Sequence, residues 1–231
     1  MNYILTGTIQ AVRLLQHGDL ATYAAIFTSL KVSITSIFIS LLVGIPLGFK
    51  IGINNFFGKK TLKLFLHIML ALPTVIIGLL VYLLISNGGI LGAFNLLFTI
   101  YAIIIGQTIL ALPIIIVLIS NAIENINKNL ILNLTTLGAT KRQITLTILY
   151  EIRHTIFSIA LMAYGRVVSE VGISMIVGGN IKWFTRTIPT SIALAANKGE
   201  FATSIALGMV LLFMTLLINL LKMLLKITAE Q

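Results

Sequence analysis

Cysteine is absent from the 231-residue chain, which excludes disulfide staples, thiolate metal sites, iron–sulfur clusters and a cysteine nucleophile. Histidine is nearly absent. His17, His67 and His154 lie in separate segments with no ligand spacing between them, so neither a metal centre nor a histidine base finds support. Charge is scarce too, at 10% of residues against about 25% in soluble domains. What fills the chain instead is apolar: 58% hydrophobic residues and a mean hydropathy of +1.07. A water-soluble core cannot hide that excess, so lipid must solvate it. The composition predicts an all-α membrane protein, a single transmembrane domain over 1–231 with about five spans.

The net charge of +10 would point to nucleic acid in a soluble chain. Here the Lys and Arg residues fall mostly in loops between apolar runs, so topology explains them and no nucleic-acid partner is expected. No cleavable signal peptide is expected either, because residues 1–16 hold polar residues, one arginine (Arg13) and no continuous apolar core. Leu5, Ile9, Val12 and Leu15 recur at spacings of three and four, which predicts an interfacial helix within 1–18.

Apolar runs near 22–49, 64–86, 98–121, 155–177 and 201–225 are long enough to cross about 30 Å of hydrocarbon. Asp19 is placed to cap the first. Lys31 lies inside that first run, so either it snorkels outward or the span proper begins near Val32. With the N-terminus outside, the inner segments hold Lys50, Lys59, Lys60, Lys63, Lys128, Lys141, Arg142, Arg153, Lys222 and Lys226. The outer ones hold Arg13, Lys182, Arg186 and Lys198. The positive-inside rule therefore predicts an N-out, C-in topology.

Two connections are long. The inner one, 122–154, opens on polar Glu124, Asn125, Asn127 and Asn129. It continues as two short helices against the membrane face, joined at Leu137-Gly138-Ala139, an arrangement that calls for a partner docking from the cytoplasm. In the outer one, 178–200, Gly178-Gly179-Asn180 reads as a helix C-cap. Thr187 with Pro189 reads as the start of a short helix ending near Ala196, and Asn197-Lys198-Gly199 as a turn. Pro46, Pro73 and Pro113 fall inside or at the edge of spans, where proline kinks helices. Leu70-Ala71-Leu72-Pro73 and Leu110-Ala111-Leu112-Pro113 are near-copies, by duplication or by chance.

Arg166 and Glu170 form the sharpest polar pair. Four residues apart in the fourth span, they share a helix face. Charges at that depth are costly, so the pair either pins helix packing or faces a pathway or gate. Gly165, Gly172 and the small Ala163, Ser169 and Ser174 would let another helix approach closely. Lys182, Thr185, Arg186 and Thr187 offer donors to an oxyanion, or else form a solvated loop. Trp183 and Phe184 suit an interfacial anchor. The stretch Gly52…Gly58-Lys59-Lys60-Thr61 fails as a phosphate loop: five residues separate the glycines and a second Lys stands where Ser or Thr belongs.

Leu137-Gly138-Ala139, in a long inner loop before the penultimate span, resembles the "EAA" loop of ABC importer permeases. The likeness continues through Tyr150-Glu151-Ile152-Arg153, Gly165-Arg166-Val167-Val168-Ser169-Glu170-Val171-Gly172-Ile173-Ser174, Val177-Gly178-Gly179-Asn180-Ile181 and Thr185-Arg186-Thr187. It also takes in Ser29-Leu30-Lys31-Val32-Ser33 and Gly44-Ile45-Pro46-Leu47-Gly48, so it covers most of the chain. Together these stretches resemble the molybdate/tungstate branch of that family. The Glu-Ala-Ala stretch itself would fall at Leu132-Asn133-Leu134, where none of the three residues matches.

The resemblance implies a type I importer permease bundle in a bacterial or archaeal cytoplasmic membrane, working as a homodimer. Two copies of a separate ATPase would dock on the inner loops, and an external binding protein would deliver the cargo. The permease would carry no cofactor and no nucleotide site of its own, with ATP on the partner. The cargo implied is an oxyanion, tungstate, or molybdate or another small anion by the same mechanism. Thr136, Gly138, Ala139 and Lys141 are the expected coupling residues, Arg166 and Glu170 the pathway or gate, and Thr185 and Arg186 the contact with the binding protein or the arriving anion. A secondary transporter is the rival of a different class, and five spans without a clear inverted repeat count against it.

Overall fold

The computed structural model describes residues 19–126 and 128–227, together with Thr8, Ile9 and Arg13. The interfacial helix expected within 1–18 lies outside the described residues except for those three, which are helical, and Asn127 lies outside them too. Ten α-helices are described: α1 (Leu20–Ile53), α2 (Lys59–Ala71), α3 (Thr74–Ile85), α4 (Ile100–Glu124), α5 (Lys128–Thr136), α6 (Lys141–Glu151), α7 (Arg153–Val168), α8 (Gly172–Gly178), α9 (Ile188–Asn197) and α10 (Phe201–Ile227). A 3-10 turn, Gly92–Phe94, lies between α3 and α4, and no strand occurs among the described residues.

α1 starts where Asp19 caps it, the carboxylate accepting from Thr22 N at 2.8 Å. Its 34 residues rise about 51 Å at 1.5 Å per residue, well beyond a hydrocarbon core of about 30 Å. α1 and α4 are each long and apolar enough to cross a bilayer unaided. Taking the bent pairs α2/α3 and α6/α7 as one crossing each makes four, and α10 adds the apolar stretch Phe201–Leu217.

The α1–α4 pair is the spine. Gly44, Gly48 and Gly52, one per turn of α1, lie directly against Ile115, Ile119 and Ile123 of α4. Lipid supplies no hydrophobic drive between helices, so close backbone approach and interdigitation must hold such a pair. Further along the seam, Ser36 and Ser40 return their hydroxyls to carbonyls one turn back in α1, at 2.6 and 2.7 Å. That gives partners to hydroxyls which the apolar seam would otherwise leave unsatisfied.

Apolar clusters extend this spine to the other helices. Ile37, Ile115, Ile119, Ile148 and Val167 join α1 and α4 to α6 and α7. Val32, Val81, Ile103 and Ile173 join α1, α3, α4 and α8. Ala25, Ile188 and Leu207 fasten α9 and α10 to the first third of α1.

The prolines behave unequally. Pro46 and Pro113 sit inside continuous helices, whereas Pro73 ends one helix and starts the next, with a 100° bend between α2 and α3. The run expected as one span over 64–86 is thus two helices. The span expected over 155–177 is also divided: α7 stops at Val168 and α8 starts at Gly172.

Candidate functional site

Three places received candidate residues, and each is built differently. The first is the turn between α5 and α6. Gly138 has φ +77°, a conformation that costs most residues with a Cβ, asparagine and aspartate excepted, about 1–2 kcal/mol. Gly138 N donates to Thr135 O and Ala139 N to Leu134 O, both at 3.0 Å, the paired closure that ends a helix on a left-handed glycine. Thr140 then opens α6 with a reciprocal capping box to Gln143. Thr136, Gly138 and Lys141 are exposed, Ala139 is half-buried, and Leu137 stands 82% exposed at the tip. Ile148, fully buried, roots α6 in the core. The two short helices expected on either side of Leu137-Gly138-Ala139 are present, and the turn between them carries an apolar tip.

At the same end of the bundle, α1, α2, α4 and α5 surround a cleft of about 380 Å³ lined by Gly52, Lys59, Glu124 and Ile131. Glu124 receives Lys59 at 2.9 Å and Lys63 as well, and Lys63 also donates to Asn121 Oδ1 at 3.0 Å. The start of α2 is thereby tied to the end of α4.

The second place is the break between α7 and α8. Arg166 Nη1 donates to Glu170 Oε2 at 3.1 Å, so the pair expected from the i, i+4 spacing is present. Glu170, however, is not in a helix. It occupies the break, 3% exposed, and its other oxygen accepts from Ile173 N at 3.2 Å. A buried carboxylate is tolerable there because it meets both a guanidinium and the positive end of α8. Arg166 keeps 45% of its side chain exposed. A Cβ placed on Gly172 would lie 3.2 Å from Thr74 Oγ1 and 3.3 Å from Glu170 Oε1. The break at Pro73 and the break at Glu170 therefore adjoin.

Three residues unforeseen in the sequence build this region. Gly78 admits the Cα of Ile173, which would lie 3.2 Å from a Cβ there, and Gly106 admits the side chain of Ile173 from the α4 side. Gln107, 2% exposed, reaches Ser36 at 3.2 Å and Val167 O at 3.5 Å, linking α1 to the end of α7. A lone amide in an apolar run was the available signal for Gln107. For the glycines the signal was their occurrence inside otherwise bulky spans.

The third place is the loop from Gly178 to Thr187. Thr185 is fully buried. Its hydroxyl donates to Gly178 O and accepts from Ile181 N at 3.0 Å. It is a staple of the loop, with no exposed surface of its own in this chain. Arg186 is half-buried: Nε donates to Asn180 Oδ1 at 3.1 Å and Nη2 to Asn180 O at 3.2 Å. It also lines a pocket of about 160 Å³ with Asp19, Lys198 and Glu200. Thr187 caps α9 through a capping box with Thr190, and Pro189 lies in its first turn. Lys182 lies 5.1 Å over the Trp183 ring.

Residues 44–226 match the family described as binding-protein-dependent transport system inner membrane component. The chain is 48% identical over 219 residues to the tungstate uptake system permease protein TupB of Campylobacter jejuni subsp. jejuni serotype O:2, covering 95% of this chain and 92% of that protein. It is 40% identical to the tungstate uptake system permease protein TupB of Peptoclostridium acidaminophilum, covering 95% and 96%. Its fold is similar to that of a chain of the MetNI methionine ABC transporter, solved in inward-facing conformations. The TM-score is 0.73 at 19% identity, over 88% of this chain and 93% of that one.

Proposed function

The chain belongs to the family of binding-protein-dependent transport system inner membrane components, and from that premise we propose that it is the membrane-spanning subunit of an ATP-driven importer of tungstate. The observation that carries the cargo is the 48% identity to a tungstate uptake permease, sustained over 95% of the chain. Molybdate, so close to tungstate in size and charge, is the alternative cargo by the same mechanism. Two copies form the pathway in the cytoplasmic (inner) membrane, each with its N-terminus outside and its C-terminus inside. Two ATPase subunits dock on the inner face, and an external binding protein delivers the anion.

The chain's own residues suit that work. The Gly138 turn is held from both sides by helix caps and rooted through Ile148, so a force applied at Thr136, Leu137, Ala139 or Lys141 reaches the core instead of dissipating in a loose loop. From Ile148 the first apolar cluster leads to Val167, immediately before the break that holds Glu170. Closure of the ATPases therefore acts, through α6 and α7, on the Arg166–Glu170 junction. Arg166 offers a dianion a positive charge, but one already shared with a carboxylate 3.1 Å away. That weakens its hold, and a conducting path needs sites the cargo can leave. At the outer face Arg186 supplies the positive contact, with Thr185 holding the loop that presents it.

The test is uptake of radiolabelled tungstate into proteoliposomes carrying this chain, its ATPase and its binding protein, with molybdate and sulfate as competitors. Uptake that requires ATP and both partners, and resists molybdate, is the expected result. Partner-dependent uptake of another anion would change the cargo alone. Uptake without any ATPase would overturn the proposal.

A further inference from the structure

Lys31 lies on an exposed face of α1 and forms no ion pair among the described residues. A cation inside an apolar run is costly unless it reaches the headgroup region. Its place along the helix settles where it sits. Residues 32–49 separate Lys31 from Lys50, and eighteen residues rise about 27 Å, close to one hydrocarbon thickness. Lys31 therefore marks one edge of the bilayer and Lys50 the other.

Directly below Lys31 on the same face, Ile34 and Phe38 follow at i+3 and i+7, 56% and 63% exposed. With Leu30 and Leu41 from α1, and Leu161 and Tyr164 from α7, they line an apolar groove of about 400 Å³. From Leu30 to Leu41 the helix rises about 16 Å, the depth of one leaflet's hydrocarbon, about half of 30 Å. Lys31 does not itself line the groove but stands next to Leu30, which closes one end of it, and no carboxylate among the described residues neutralises that cation.

We infer that this groove is a binding site for an anionic glycerophospholipid, its phosphate on Lys31 and one acyl chain between α1 and α7. The unpaired positive charge selects the headgroup, and the leaflet-length apolar floor selects a lipid tail over a free anion or a polar peptide. The inference needs α1 to cross a bilayer with Lys31 at its edge and the groove to face lipid. It does not depend on the cargo, the ATPase or the direction of insertion.

The test places the only tryptophan in the groove, as Phe38→Trp in a Trp183→Phe background, in full-length protein reconstituted into phosphatidylcholine vesicles. Quenching is compared between brominated phosphatidylglycerol and brominated phosphatidylcholine. One lysine near a lipid surface is worth about 1 kcal/mol, so the anionic lipid should be favoured about fivefold. Lys31→Gln should bring the two lipids to parity, and Lys31→Arg should keep the preference. Parity with Lys31 in place would overturn the inference. So would a tryptophan that neither lipid quenches, because protein, such as a second copy of the chain, would then cover the groove.

Discussion

Gly48 and Ile119 meet so closely that a Cβ on the glycine would lie 2.8 Å from the isoleucine Cβ and 3.0 Å from the carbonyl oxygen of Ile116. Backbone stands behind the side chain, so rotamer change alone cannot relieve the clash. Gly44 and Gly52 repeat the relationship one turn to either side, against Ile115 and Ile123. The longest of the described helices is thus held to α4 by an absence of side chains.

Gly48→Ala should therefore destabilise the protein by about 1–3 kcal/mol, the cost of overpacking a filled interface. Gly165→Ala is the control: a Cβ there meets nothing within 4 Å, and alanine gains up to about 1 kcal/mol of helix propensity. Thermal unfolding in detergent should show a lowered midpoint for the first and an unchanged or raised one for the second. Equal midpoints would mean that the α1–α4 seam is looser than described.

At Gly138 the space is open but the backbone is left-handed. Gly138→Asn should retain most ATP-driven uptake, since asparagine adopts that conformation readily. Gly138→Val should lose about tenfold or more, because a penalty of about 1–2 kcal/mol falls on one turn. Equal uptake by the valine variant, at equal expression, would remove the turn from the coupling path.

Arg166 and Glu170 should respond asymmetrically. Arg166→Ala leaves a buried carboxylate without its cation, whereas Glu170→Gln keeps an acceptor for Ile173 N and leaves an arginine that water can reach. The arginine variant should be the less stable of the two. Adding Glu170→Gln to Arg166→Ala should recover part of the loss, on the order of 1–3 kcal/mol. A double variant no more stable than Arg166→Ala alone would show that the pair does not compensate charge.

An ideal Cβ on Gly78 lies 3.5 Å from the Cβ of Ile176, within the range a disulfide spans. The chain has no cysteine of its own, so Gly78→Cys with Ile176→Cys should cross-link intramolecularly on mild oxidation. Intact-mass measurement before and after alkylation reads the yield. Two free thiols remaining after oxidation would contradict the α3–α8 packing.

Thr185→Val should lower the unfolding midpoint by removing a hydroxyl that both donates to Gly178 O and accepts from Ile181 N. Leaving those buried backbone groups unpaired costs about 1–3 kcal/mol. Thr185→Ser should restore most of it. A valine variant as stable as the parent would release Thr185 from its role as a staple.

Local features of this protein were legible wherever one or two neighbouring residues decide the outcome. Asp19 caps α1, Thr187 and Pro189 open α9, and Gly138 separates α5 from α6, each because a cap or a left-handed turn is settled within a few residues. The spacing of Arg166 and Glu170 was legible in the same way, since four residues close an ion pair in a helix and also across this particular break. Other features escaped because their partners are distant in the chain. Pro46, Pro73 and Pro113 look alike locally, yet only Pro73 breaks its helix. Thr185 looks like a surface donor until Gly178 O and Ile181 N enclose it.

The sequence by itself determined that lipid must surround the chain, because 58% apolar residues and 10% charge leave water no way to solvate it. It likewise determined where single glycines and caps begin and end helices. Tertiary structure alone decided that α1 docks on α4 through Gly44, Gly48 and Gly52, that the breaks at Pro73 and Glu170 adjoin, and that Gln107 links α1 to the end of α7. In a lipid medium apolar patterning does not say which helix faces which. That choice falls to shape, to which glycine leaves room for which isoleucine, and shape is complete only when both partners are in place.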